Sequence, residues 1–543
     1  MKKNKIIKKF AKLSVYTLLV ALGTGCTDKF EEYNTNPFGP KPDQMLGDNA
    51  ITGSLIKSMI PALVQGQQNN SQMLDQMIGS EYGGEITCIA QWGNGGNYYT
   101  YNPRVGWYGN MFDTTMPQIY TGYFQIRDLS DGKGLAYQWA QILRVAASLK
   151  ISDCYGPIPY SQVGVNNALK SAYDSQEQVY TKMLADLDNI IDVLTTYSAQ
   201  NFNPSGDRIY DGNTKAWAKF ANSMKLRMAM RIVYVNENLA KQKAEEAVNS
   251  EIGVMTANSD GAYHKIVDHN PWERFMPNWK DARISADLIC YMNGYSDPRR
   301  GAYYGISTFS SEGAYKGTED YVGLRRGIRQ GQFNSWSQGC SCMKVTVSDD
   351  MLIFPASEVT FLRAEGALRG WNMGGTAKAL YEEAVRLSFE ERGVSGVDTY
   401  LTNSTGIPTV YKDPLKGQDG QKYDYSGSTN STVTVAWDEA DGFETKLERI
   451  ITQKWIALFP NGIESWSEHR RTGYPKLLPV VVNKGRNVST EAGMRRLMYP
   501  NEEYTQNSFH LNNAINVLIK ESSNNQGGDT GGTHVWWDRK ANK

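Results

Sequence analysis

The segment from Gln91 to Tyr101 carries side chains well suited to binding chemistry, in the order Gln-Trp-Gly-Asn-Gly-Gly-Asn-Tyr-Tyr-Thr-Tyr, and Arg104 and Trp107 follow it. Aromatic rings have electron-rich faces on which the flat C–H faces of a sugar can stack. Amide and guanidinium groups can hydrogen-bond to hydroxyls. The glycines leave the backbone free to bring these groups together. The segment therefore predicts a platform for noncovalent ligand binding.

A second aromatic segment runs from Tyr291 to Trp336, in a chain with 32 Tyr and only 16 Phe. A phenol hydroxyl needs a polar partner or water, so an excess of Tyr favours a recognition protein. The alternative is that these rings hold loops on the scaffold or pack against a partner protein, since Tyr and Trp are also enriched at interfaces. The predicted ligand-binding residues are Trp92, Asn97, Tyr98, Tyr99, Tyr101, Arg104, Tyr303, Tyr304, Tyr315 and Trp336.

An enzyme is the rival class, and its sequence signals are absent. The chain has five His, and the spacing of His264 and His269 fits no zinc motif. No G-x-S-x-G elbow or P-loop is present, and the aspartates from Asp207 to Asp211 lack EF-hand spacing. A glycosidase pair of carboxylates cannot be read from sequence. We predict a binding protein with no catalytic residues, no cofactor and no assigned metal site, and a structural calcium ion stays open.

Cys340 and Cys342 are separated by one residue, in a chain with six cysteines in all. Such a pair could form a strained bridge, half of a metal site or two separate thiols. No second Cys or His pair lies nearby, so we favour two thiols.

The N-terminus has the pattern of a secretory signal. A Lys-rich start precedes an apolar run from Leu13 to Leu22, and Gly23-Thr24-Gly25 precedes Cys26. The run is much shorter than the ~20 residues of a membrane-spanning helix. A cysteine after small residues is typical of a lipoprotein cleavage box, with ordinary secretion as the alternative. We predict a signal peptide over 1–25, lipidation at Cys26 and an extended tether over 26–48.

Charge places only weak limits on the ligand. The chain has 57 basic and 57 acidic residues, for a formal net charge of zero. No global field then favours nucleic acid, and the balance argues against a strongly acidic polysaccharide.

Apolar residues recur at helical spacing in several segments. Stripes begin near Leu135, Tyr180, Trp217, Ser357, Thr376 and Phe443, and Ser175 with Gln178 forms a capping box. Trp139, Trp217 and Trp455 lie on these stripes and are predicted core residues. Between about 253 and 350 no long stripe is found. We predict an all-α dominated fold with long irregular loops and few short strands.

Several segments together resemble one family, the SusD/RagB outer-membrane lipoproteins. They are Trp139 to Tyr160, Asp207 to Ile232, Pro355 to Phe389 and Glu448 to Pro475. The RRTGYP ending of the last segment is similar to a divergent second branch of that family. The resemblance implies one domain over 49–543, with a tetratricopeptide-like scaffold over about 49–250 and 355–475. The ligand-binding loops would lie at about 81–110 and 253–350.

The same resemblance implies a function. Such proteins capture oligosaccharides, or in some members peptides, at the cell surface, and deliver them to a SusC-like TonB-dependent barrel in the outer membrane. The expected protein is thus lipid-anchored in the outer membrane and faces outward. A protein-only adaptor remains the alternative from another class.

Overall fold

A computed structural model describes residues 50–88, 96–104, 106–167, 170–202, 206–311, 320–329, 337–414, 416 and 424–540. The chain divides into a unit of residues 1–51 and a unit of residues 52–543, and nearly all of the described residues belong to the second unit. Of the sequence predictions, Cys26, Trp92, Tyr315 and Trp336 lie outside the described residues.

Helices dominate the described chain, which confirms the predicted fold class. The helices are α1 (Ala50–Met59), α2 (Gln68–Ser71), α3 (Asn110–Ser130), α4 (Gly134–Tyr155), α5 (Gln176–Thr196), α6 (Thr214–Arg231), α7 (Glu237–Asn249), α8 (Pro271–Glu273), α9 (Ala286–Gly294), α10 (Arg300–Tyr303), α11 (Ala356–Leu368), α12 (Ala377–Glu391), α13 (Val397–Leu401), α14 (Phe443–Leu458), α15 (Gly462–Thr472), α16 (Asn501–Gln506) and α17 (Ser508–Glu521). A π-helical segment, Gln72–Ser80, continues from α2. No described helix combines the length and apolar character needed to cross a membrane.

Four short strands complete the set: β1 (Ile86–Thr87), β2 (Ala262–His264), β3 (Arg283–Ile284) and β4 (Met351–Phe354). They form two antiparallel pairs. Ile86 faces Ile284 in the pair β1–β3, and β2 pairs with β4.

Local sequence signals set the helix boundaries. Ser175 and Gln178 form the predicted capping box at the start of α5. Helix α4 ends at Gly156, whose φ of 94° is costly for residues with a side chain. Trp139, Trp217 and Trp455 are at most 1% exposed, as their positions on apolar stripes predict.

Consecutive helices pack as pairs, in the manner of tetratricopeptide hairpins. α3 packs on α4, α5 on α6, α11 on α12, and α14 on α15. Helix α11 also contacts α6 and α14, so it joins the two helical halves of the chain.

A buried charge network lies where α6, α11, α14 and α15 meet. It consists of Arg227, Arg231, Lys454, Arg471, Glu358, Glu365, Glu464 and Glu468. Glu468 shows the pattern: its carboxylate lies 2.6 Å from Arg231, 2.6 Å from Arg471 and 3.2 Å from Lys454. Burial opposes its ionisation, but the three cations hold the pKa of Glu468 well below its usual range.

We expect Glu468→Gln to destabilise the protein by about 3–5 kcal/mol, because three buried cations would lose a shared counter-charge. The free energy of unfolding, measured by urea titration, tests this. The matched control is Asp398→Asn, which removes an exposed ion pair of 2.6 Å with Arg386 and should cost less than about 1 kcal/mol. Equal losses in the two variants would show that the network is not a stabilising centre.

Candidate functional site

The first predicted aromatic segment, as far as it is described, lies among loops rather than on a helix. We define the loop site as the described segments 96–104, 324–329 and 478–488. Residues 96–104 form a tight turn, in which Asn97 and Asn102 exchange backbone hydrogen bonds of 2.7 and 3.0 Å. Tyr101 takes a left-handed conformation at the end of this turn, with φ of 62°.

Backbone hydrogen bonds connect the three segments. The Val481 N–H donates to the Gly327 carbonyl at 2.9 Å, and the Lys484 N–H donates to the Thr100 carbonyl at 2.8 Å. Strand β3 is bonded to the second of these segments, because the Leu324 N–H donates to the Ile284 carbonyl at 2.8 Å. The short sheet β1–β3 thus sets the position of the loop site.

The loop site also joins the two aromatic segments that the sequence singled out. Tyr99 packs with Leu324, Ile328 and Cys340 in a small apolar cluster. The two predicted segments are therefore neighbours in space, which sequence separation alone did not reveal.

Most of the predicted aromatics in the turn are buried. Asn97 is fully buried, and Tyr98, Tyr99 and Tyr101 are 3%, 1% and 6% exposed. Tyr82 lies at their centre, with its ring 6.4 Å from Tyr98 and 6.3 Å from Tyr101. In this structure these side chains build the loop, and their contact with a ligand stays a prediction.

Tyr303 and Tyr304, from the second predicted segment, are buried as well. Both belong to the core, at 2% and 0% exposed. The Tyr303 hydroxyl donates to the Ile456 carbonyl at 2.9 Å, and the Tyr304 hydroxyl to the Met292 sulfur at 3.2 Å. In this structure the two rings pack in the core, and their contact with a ligand stays a prediction.

Arg104 is the predicted residue that remains partly accessible. Its guanidinium lies 4.1 Å from the centre of the Trp107 ring, a cation–π arrangement. Both side chains are half-buried. This pair offers a hydrogen-bonding group beside an aromatic face at the edge of the loop site.

Sequence reasoning missed a set of buried charges beneath the loops. Asp287 accepts hydrogen bonds from Arg326 Nε at 3.0 Å and from the Ser285 hydroxyl at 2.8 Å. Burial opposes ionisation of Asp287, but Arg326 and Arg325 bring its pKa below the usual value. The only sequence signal was the Arg325-Arg326 pair, whose partner Asp287 lies 39 residues away.

Two buried glutamates lie close to Asp287, and their pKa values are raised instead of lowered. Glu81 accepts hydrogen bonds from the Thr87 hydroxyl at 2.9 Å and the Cys88 N–H at 3.1 Å. Burial raises its pKa to about 8, and Arg326 only partly offsets this. Burial also raises the pKa of Glu85 to about 8, although a hydrogen bond from Ser465 lowers it. Both groups are therefore largely protonated at neutral pH.

The structure also describes the cysteine pair, the possible metal ligands and two buried arginines. The cysteines Cys340 and Cys342 are free thiols, as favoured. Within the described ranges, no group of three or more His, Cys, Asp or Glu could hold a metal ion. Arg470 and Arg471 are buried, and Arg471 bridges Glu365 and Glu468.

Comparisons with known proteins agree on one likeness. A family model described as "SusD-like: Susd and RagB outer membrane lipoprotein" matches residues 32–538. A solved SusD homologue from Bacteroides ovatus ATCC 8483 is 55% identical, covers 91% of this chain and 100% of its own, and has a TM-score of 0.85. One from Bacteroides thetaiotaomicron VPI-5482 is 49% identical, with 90% and 99% covered and a TM-score of 0.82.

A third solved structure is described as a chitin-binding SusD homologue from Flavobacterium johnsoniae. It is 37% identical, with 90% of this chain and 99% of its own covered, at a TM-score of 0.82. No curated protein matches the chain.

The raised pKa of Glu85 predicts how stability varies with pH. Above about pH 4.5 the unfolded chain releases this proton while the folded chain keeps it until about pH 8. The free energy of unfolding should fall across this window by roughly 1.4 kcal/mol per pH unit for this group. Glu85→Gln mimics the protonated form and should remove this group's contribution. The free energy of unfolding, measured by urea titration from pH 5 to 8, should then fall less steeply with pH.

The control is Glu177→Gln, which changes an exposed carboxylate in the first turn of α5. Its profile should parallel that of the unaltered protein. A Glu85→Gln profile equally parallel would mean that Glu85 is ionised in the folded state.

Proposed function

This chain belongs to the SusD-like family of outer membrane lipoproteins, and we propose that it captures an oligosaccharide at the cell surface. We propose further that it passes the ligand to a SusC-like TonB-dependent barrel in the same membrane. The observation that carries the glycan assignment is the likeness to the chitin-binding relative, which extends over nearly the whole of both chains.

The loop site supports this role by its chemistry. Arg104 and Trp107 place a guanidinium and an aromatic face side by side, the combination that suits a sugar ring with its hydroxyls. Loops on a rigid scaffold are the usual position of binding residues. The predicted contacts of Trp92, Tyr315 and Trp336 belong to this proposal as well, without a described position.

The proposal includes no reaction. Beneath the loop site, the carboxyl groups of Glu81, Glu85 and Asp287 are each at most 1% exposed. Glycoside hydrolysis needs two carboxyl groups on either side of the scissile bond. These three buried carboxyl groups do not offer such a pair.

Calorimetric titration of the chain from Thr27 onward, against neutral and acidic glycans and a peptide digest, tests capture. A glycan that binds supports the proposal. Binding of peptides alone would replace the ligand class and keep the capture role. If nothing binds but the protein still assembles with its barrel, the adaptor alternative replaces capture.

We expect Trp107→Ala to weaken oligosaccharide binding about three- to tenfold, because one stacking ring is lost. Titration of this variant with the bound glycan measures the effect. Tyr197→Ala is the control, since Tyr197 is 44% exposed at the end of α5, outside the loop site. An unchanged affinity in Trp107→Ala would remove this ring from the binding surface.

Lipid attachment gives a separate prediction. We expect Cys26→Ala to abolish labelling by a fatty-acid analogue and to move the protein out of the membrane fraction, because the acyl chains supply the membrane affinity. Cys342→Ala should leave labelling and fractionation as they are. Retained labelling in Cys26→Ala would place the acylation elsewhere.

A further inference from the structure

The loop site has a one-sided charge that the balanced chain as a whole conceals. Its three segments contain six basic residues and no Asp or Glu. These are Arg104, Arg325, Arg326, Arg329, Lys484 and Arg486. The chain as a whole has equal numbers of acidic and basic residues, so these three segments differ from it in their charge balance.

One of the buried cations, Arg326, has an acidic partner. Arg326 pairs with Asp287 at 3.0 Å. Glu81 adds little negative charge at neutral pH, since burial raises its pKa to about 8. Asp287 is the ionised carboxylate that pairs with Arg326.

Arg325 has no carboxylate in hydrogen-bonding contact. Its Nη1 donates to the Arg326 carbonyl at 3.0 Å, its Nη2 donates to the Pro479 carbonyl, and its Nε has no partner. The side chain is only 3% exposed, and an arginine keeps its charge even when buried. It therefore adds positive potential to the loop site, and a buried charge is screened less than an exposed one.

The surface cations add to this charge. Lys484 and Arg486 are exposed on either side of Gly485, and Arg104 is half-buried. An added Cβ at Gly485 would lie 2.8 Å from the Tyr101 carbonyl oxygen, so this turn packs directly on the turn that leads to Arg104. Within the described residues, none of the three forms an ion pair with a carboxylate.

Acidic side chains flank the loop site but lie outside its three segments. Asp413 is buried and accepts from the Tyr425 N–H at 3.0 Å. Asp424 adjoins Tyr425, whose hydroxyl accepts from the Arg329 N–H at 3.2 Å, but Asp424 pairs with Lys416 at 2.8 Å. Glu491 lies five positions after Arg486 and accepts from the Ser489 hydroxyl at 2.7 Å. The loop site therefore keeps an excess of positive charge.

We propose that the loop site takes an anionic oligosaccharide, one whose sugar units carry carboxylate or sulfate groups. The inference rests on the proposed capture function and narrows its ligand class. Guanidinium groups bind planar carboxylates and sulfates through paired hydrogen bonds, and Arg104 combines such a group with the Trp107 ring. The neutral net charge of the chain argued against such a ligand, but local charge acts within a Debye length of about 10 Å and is what a bound sugar experiences.

Titration with two acidic oligosaccharides and their neutral counterparts tests this. Oligogalacturonide is compared with its carboxyl-reduced form, and chondroitin sulfate oligosaccharide with its desulfated, carboxyl-reduced form. We expect at least one acidic member to bind at least tenfold more tightly than its neutral counterpart at low salt. A response of the oligogalacturonide pair shows that carboxylate groups suffice, and comparison of chondroitin sulfate with its desulfated form, which keeps its carboxylates, isolates the effect of sulfate.

The variant K484Q/R486Q should weaken that binding about five- to tenfold in 50 mM salt, and much less in 500 mM salt, because exposed charges are screened. The control K215Q/K241Q removes two exposed lysines from the helical scaffold and should stay within twofold of the unaltered protein. Circular dichroism of both variants checks that the fold is kept.

Three results would overturn the proposal. Equal binding of acidic and neutral counterparts would leave capture intact and remove the charge preference. Equal binding of poly-glutamate would show nonspecific ion exchange. No binding by any glycan in a wider panel of neutral and acidic chains would remove the proposed capture function as well.

Discussion

The buried charge network at the meeting point of α6, α11, α14 and α15 is the constraint on which the rest of the structure depends. Charges this deep are tolerated only when each one has partners at close range. Glu464 and Glu468, on one face of α15, satisfy Arg231 from α6, and Glu468 also satisfies Lys454 from α14. Moving any one helix would leave a desolvated charge without a partner. The network therefore fixes the register of helices that are far apart in sequence.

The loop site takes its position from that arrangement. Helix α15 packs on the π-helical segment Gln72–Ser80 so closely that an added Cβ at Gly462 would lie 2.1 Å from the Ser80 nitrogen. Ser465 on α15 also donates to Glu85, just before β1. From β1 the support passes to β3 and then to Leu324 through backbone hydrogen bonds. The loops are thus held by a continuous series of close contacts that begins in the charged core.

The sequence predicted the helices whose apolar residues recur every three to four positions, such as α4, α5, α11 and α12. Helix α3 was not predicted, because it contains Pro117, a residue that usually ends a helix, and because its buried residues include Thr115 and Gly122 as well as aromatics. The family was recognisable from the sequence because the four segments that resemble SusD/RagB proteins are spread over the chain. The burial of Tyr303 and Tyr304 was not predicted, because a tyrosine is as stable in a core as on a surface when its hydroxyl finds an acceptor there. Long-range partners such as Arg326 and Asp287 have no signature in sequence.

The division of charge between core and loops has an evolutionary consequence. Buried cations of the network share their acidic partners at close range, so a change of sign there would disrupt folding. Lys484 and Arg486 lie on an exposed turn, where most substitutions are close to neutral for stability. A duplicated gene can therefore alter the charge of its loops through a few point mutations and inherit the scaffold unchanged. In this architecture the charge of the exposed loops can change by point mutation, whereas a change of sign in the buried network would disrupt the fold.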